Sequence, residues 1–88
     1  MKIIISDHAF FEAKRRDISE ELIRALIKNP QQKVYSKKGR VILQNKYYDI
    51  FKKKEILLRV VGIEKDAQFR VITVYNTSKI EKYWLKGD

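Results

Sequence analysis

Apolar residues change their spacing once along this 88-residue chain, at Pro30. Before it they recur every three to four positions, and after it they alternate. Lys2 to Ile5 is a β-branched run and reads as a first strand. Ser6 or Asp7 supplies an N-cap oxygen for a helix through about Arg16. Asp17 and Ile18 make a tight junction, and Ser19 caps a second helix. Glu20 and Glu21 fall in its first turn, where the helix dipole favours carboxylates. Leu22, Ile23, Leu26 and Ile27 form one buried stripe, and Asn29-Pro30 ends the helix.

Beyond Pro30 the chain reads as strands over Lys33 to Ser36, Arg40 to Asn45, Tyr47 to Phe51, Ile56 to Ile63 and Gln68 to Asn76. The turns between them carry KKG, KKKE and Lys65-Asp66. Thr77 or Ser78 is placed to cap a short C-terminal helix through Leu85, before a frayed KGD. The predicted order is β-α-α-β-β-β-β-β with a short C-terminal helix or tail. Short connections imply an antiparallel meander, and two helices must bury one face against it. The expected class is therefore α+β, two layers, one domain over residues 1–88.

Charge adds direction. The net charge is +9, and residues 33–54 hold eight cations against Asp49 alone. Lys33, Lys37, Lys38, Arg40, Lys46, Lys52, Lys53 and Lys54 thus form a candidate footprint for a polyanion, most often nucleic acid. The plainer alternative is a solubilising lysine-rich surface whose turns protect sheet edges. There is no cysteine and one histidine, so a structural zinc site is not expected and no cofactor is implied. The N-terminal MKIII is too short for a signal-peptide core, and no apolar run reaches the length of a membrane span. Zero cysteine fits a reducing compartment, so a cytoplasmic location without membrane partners is expected.

Candidate chemistry gathers at three places. His8 lies at a helix start, with Glu12 one turn on and Arg16 two turns on. It is either a general acid/base or phosphate contact with Arg16 as fixed charge, or a histidine packed at the helix–sheet seam with Arg16 bridging to a carboxylate. Arg59 stands mid-strand in LLRVVG. It needs a salt bridge or an open face that meets a ligand anion. Tyr47, Tyr48, Tyr75, Tyr83 and Trp84 sit among cations, which suits single-stranded RNA as well as cross-strand packing. No phosphate loop, carboxylate pair or nucleophile elbow is present. Metal-independent RNA cleavage is then the most economical chemistry, because the 2′-hydroxyl is the nucleophile and the protein supplies acid, base and charge.

The segments HAFFEAKRRDIS and VITVYNTSKIEKYW resemble a small family of bacterial and archaeal domains of unknown function, itself similar to RelE/BrnT-type toxins of toxin–antitoxin systems. His8-Ala9 match its H-A, Arg16-Asp17-Ile18-Ser19 its R-x-I-S, and Thr73-Val74-Tyr75 its late strand. The chain departs at Glu12, where relatives often carry a cation, and at Asp17, where glycine is common. The resemblance implies a RelE-like fold and a cofactor-free endoribonuclease restrained by a small acidic antitoxin. In that scheme Arg16, Arg59 and Lys79 hold phosphate, His8 is the acid or base, and Tyr75 orients or stacks a base. Tyr83 and the basic block contact RNA. Two other classes stay open: a non-catalytic nucleic-acid-binding module and a partner-binding domain with a basic surface. A shared pocket of His8, Arg59 and Tyr75 would separate the first class from the others.

Overall fold

The computed structural model describes residues 1–87. Its elements are β1 (Lys2–Ile5), α1 (Asp7–Arg15), α2 (Glu20–Lys28), β2 (Gln32–Tyr35), β3 (Val41–Asp49), β4 (Lys54–Lys65), β5 (Gln68–Thr77) and α3 (Ile80–Tyr83). Five strands make one sheet in the order β1-β5-β4-β3-β2. The α+β class holds, with both long helices entering before the meander.

Local chemistry explains both long helices. Ser6 caps α1, its Oγ accepting from Ala9 N at 3.1 Å, and Ser19 caps α2 by accepting from Leu22 N at 3.1 Å. Between them the backbone forms a Schellman turn. Ile18 N donates to Ala13 O at 2.8 Å and Asp17 N to Lys14 O at 3.3 Å. Asp17 takes the left-handed conformation, φ 55°, that this turn requires. Ile18 drops into the core, 4% exposed. The sequence R-D-I-S is therefore a helix stop, a left-handed residue, a core anchor and the next cap.

Ala9, Ala13, Ile18, Ile23, Leu26 and Ile27 pack on Val41, Leu43, Leu58, Val60, Phe69, Val71 and Val74. One face of the sheet is thereby closed by helices. On β5 an extra residue, Ile72, falls between the Val71–Gly62 and Thr73–Val61 pairs. Ser6 Oγ donates to the carbonyl of that bulged residue at 3.2 Å, so the start of α1 is tied to the bulge.

Three expectations change in detail. Arg40–Asn45 and Tyr47–Phe51 are not two strands: β3 pairs with β4 without interruption from Val41↔Gly62 to Asp49↔Lys54. Asn45 and Lys46 keep the in–out alternation, so nothing breaks the ladder. The sheet is mixed, because β1 runs parallel to β5 after the helical excursion. The C-terminal helix is a single turn capped at Lys79 without a side-chain bond. Thr77 Oγ1 accepts instead from Lys79 N at 3.1 Å, which turns the chain but does not cap the helix.

Candidate functional site

The register of the meander aligns four side chains in one row across the face turned away from the helices. Gln32 on β2 stands opposite Gln44 on β3, Gln44 opposite Arg59 on β4, and Arg59 opposite Tyr75 on β5. Gln44 Nε2 donates to Gln32 Oε1 at 2.7 Å, and Arg59 Nε donates to Gln44 Oε1 at 2.9 Å. Arg59 Nη1 donates to the phenolic oxygen of Tyr75. The guanidinium also lies 4.3 Å from the centre of the Tyr83 ring. Tyr83 meets Tyr75 edge to face at 6.2 Å.

Arg59 is 8% exposed, yet among the described residues no carboxylate is within ion-pair distance of it. Of the two expected outcomes, a salt bridge or an open anion-facing position, it meets neither in full. Neutral acceptors hold two of its corners. No buried side-chain nitrogen or oxygen lacks a partner among the described residues, so Nη2, which has no hydrogen-bond partner among them, keeps contact with solvent. A charge held this way retains its attraction for an anion.

Other expected residues join this row. Lys46 lies on the same face, its Nζ 4.1 Å above the Trp84 ring. Lys79 lines the adjoining cleft with Lys46, Glu55, Ser78, Ile80, Glu81 and Lys82. Tyr83 belongs to the row through Arg59. The sequence pointed to Arg59, Tyr75, Lys79, Lys46 and Tyr83, but not to Gln32 and Gln44. The available signal was a charged residue in an apolar strand, which demands polar neighbours on its own face.

The remaining expected residues lie apart from this row. His8 is exposed on α1, and its imidazole makes no hydrogen bond or ion pair among the described residues. It is neither packed at the seam nor gathered with Arg59 and Tyr75, because α1 packs on the opposite face of the sheet. The shared pocket of His8, Arg59 and Tyr75 does not form. Arg16 is engaged by Glu12, Nε to Oε1 at 3.3 Å, and Arg15 holds the same oxygen at 2.8 Å. The Arg15 bond, opposed by partial burial and reinforced by Arg16, holds the Glu12 carboxyl below its ordinary range. The cleft beside Arg16 is lined by Asp17, Asp49, Phe51 and Lys52.

The basic block is continuous in sequence and divided in space. Lys37, Lys38 and Arg40 sit at the β2–β3 turn, Lys52 and Lys53 in the β3–β4 turn, and Lys54 at the start of β4. The nine residues of β3 hold the two groups about 27 Å apart. Lys33 is spent on Glu64 at 2.6 Å, an ion pair that raises the lysine's proton affinity through the side-chain bond first. Of the eight cations only Lys46 reaches the Arg59 face near its centre.

Among the described residues no cluster of three histidine, cysteine or carboxylate side chains is placed to hold a metal. No described helix is long and apolar enough to cross a membrane. No curated protein and no solved structure matches the chain. A family profile does match residues 5–76, a span that takes in both long helices and Gln32, Gln44, Arg59 and Tyr75 and ends before α3. By that match the chain belongs to the family described as Domain of unknown function (DUF4258).

Proposed function

We propose that this domain binds single-stranded RNA on the sheet face centred on Arg59. One observation carries this reading: a guanidinium 8% exposed, with no counter-ion among the described residues, shares its face with Tyr75, Tyr83 and Lys46. Phosphate oxygens would take the open corner of Arg59, with Lys46 and Lys79 adding charge, and Tyr75 would stack on a base. The test is anisotropy of a labelled RNA oligonucleotide in EDTA. Arg59→Met should weaken binding about 10- to 150-fold, since a charge-assisted contact is worth about 1.5–3 kcal/mol. Wild-type affinity in a folded Arg59→Met protein would end this reading.

A toxin-like, metal-independent endoribonuclease of the RelE/BrnT type is the finer form of the same proposal. The Arg59–Tyr75 bond favours it. Arg59 donates to the phenolic oxygen, so the Tyr75 hydroxyl proton stays free to be given to a phosphate oxygen or leaving group. Arg59 would stabilise the charge that develops on the phosphoryl oxygens, Lys79 would assist from the cleft edge, and solvent water would take the 2′-hydroxyl proton as Tyr75 protonates the leaving oxygen. His8 has no part in this arrangement. Cleavage should proceed in EDTA and spare RNA with 2′-O-methyl groups. The net charge of +9 suits restraint by a small acidic antitoxin. If the wild-type protein binds RNA without cutting it, the non-catalytic binding module is the function.

A further inference from the structure

The Arg59 face is covered by the chain's own last residues. Tyr83 O accepts from Gln44 Nε2 at 3.1 Å. Leu85 O accepts from Gln32 Nε2 at 2.7 Å, and Leu85 N donates back to Gln32 Oε1 at 2.9 Å. Tyr83 lies over Arg59, and Trp84 lies beneath Lys46. Residues 80–85 thus form a strap that occupies both glutamine amides, the face of the guanidinium and the nearest lysine.

This cover is lightly held. None of residues 79–87 is buried, α3 has four residues and no side-chain cap, and Leu85 is 47% exposed. A segment with no buried residue of its own belongs toward the low end of local stability. Its strongest contacts are also replaceable. Two backbone carbonyls accept from the glutamine amides, and an aromatic ring rests on Arg59. Phosphate oxygens are better acceptors for those donors, and a base can take the place of the ring. Lys79, Lys82 and Lys86 on and beside the strap give a polyanion further reason to draw it off the sheet.

We infer that residues 80–85 are a releasable strap that closes the Arg59 face, and that RNA binds by displacing it. This inference rests on the RNA-binding reading above and adds the regulation of that site. A mostly closed strap lowers apparent affinity by the fraction of molecules that are open.

Trp84 is the only tryptophan in the chain and lies in the strap, so it reports release directly. The full-length protein is titrated with a labelled single-stranded RNA, following RNA anisotropy and the quenching of Trp84 by acrylamide. Leu85→Pro is titrated in parallel. The proline removes the N–H given to Gln32, and Trp84 before it is already extended, with ψ 127°, as that position requires. The expected result is that RNA raises the acrylamide accessibility of wild-type Trp84. Leu85→Pro should show that accessibility without RNA and bind at least about tenfold tighter. RNA that binds while Trp84 accessibility stays level or falls overturns the strap and leaves the RNA reading standing, whatever Leu85→Pro does. Failure of both proteins to bind RNA at low salt overturns the RNA reading and the strap with it.

Discussion

Arg59 Nε donates to Gln44 Oε1 at 2.9 Å across adjacent strands, and no acid answers that buried charge among the described residues. The two partners should respond differently to removal. Arg59→Met removes a desolvated charge but strands Gln44 Oε1, and the two effects offset, so it should cost less than Gln44→Leu, about 1 kcal/mol. Gln44→Leu leaves the guanidinium without its acceptor in a site where Gln44 is 0% exposed. It should cost about 1–3 kcal/mol. Urea melts of both variants decide the matter. If Arg59→Met is the more damaging, the guanidinium serves the fold and not a ligand.

Asp17 occupies a left-handed position that glycine fills without strain. Asp17→Gly should therefore stabilise the protein by about 1 kcal/mol, the usual cost of a side chain in that conformation. Thermal melts at neutral pH measure it. A destabilised Asp17→Gly protein would mean that the carboxylate does more than sit in the turn.

Gly62 works through close approach and not through its torsion angles. A Cβ placed there would lie 2.5 Å from the Arg70 carbonyl oxygen and 2.7 Å from Phe69 Cζ, beside the β5 bulge. Gly62→Ala should cost about 1–3 kcal/mol by overpacking. On the helix side, Leu26 is 1% exposed, so Leu26→Ala should lose about 2–4 kcal/mol through a cavity. Denaturant midpoints test both, and a change in Leu26→Ala below about 0.5 kcal/mol would contradict its place in the core.

The helices were legible in the sequence because their signals are local. Ser6 and Ser19 each act within three residues, and the stripe around Leu26 needs only helical spacing. β3 was not legible as one strand. Its polar pair looks like a turn, yet Asn45 Oδ1 accepts from Gln31 N at 2.6 Å while Lys46 points the other way, over the Trp84 ring. The site was half legible for a related reason. Arg59 and Tyr75 are conspicuous in their own strands, but Gln32 and Gln44 gain meaning only through register, which no local pattern states. His8 misled because proximity to Arg16 along a helix says nothing about which sheet face the helix covers.

Glu12 supplies a pH test for α1. Its carboxyl titrates below the ordinary 4.5, first because Arg15 bonds it and then through Arg16. A lowered folded-state value means stabilisation that is present above the ordinary range and lost as pH falls through the lowered value. Glu12→Gln should therefore be less stable than wild type at pH 7, and the two should converge as pH drops below about 4.5. Melting temperatures across that range check the sign. A gap that persists unchanged at pH 2.5–3 would assign the difference to packing.

The divided basic block makes a last prediction about salt. The cleft next to Arg59 is lined by Lys46, Glu55 and residues 78–82, on the side of the β3–β4 turn. Lys52, Lys53 and Lys54 stand at that end of β3, Lys52 on the Arg16 cleft, whereas Lys37, Lys38 and Arg40 stand at the other end. RNA lying on the Arg59 face should then feel the first group and not the second. Each phosphate contact on single-stranded RNA contributes about 0.7 to the slope of log affinity against log salt. Replacing Lys52, Lys53 and Lys54 with glutamine should flatten that slope by about 2, the sum for three contacts. Replacing Lys37, Lys38 and Arg40 should leave it within about 0.5 of wild type. Titrations at several salt concentrations give both slopes. Equal losses in the two triple variants would point to RNA wrapping the full length of β3, and a loss confined to the Lys37 group would move the binding face away from Arg59.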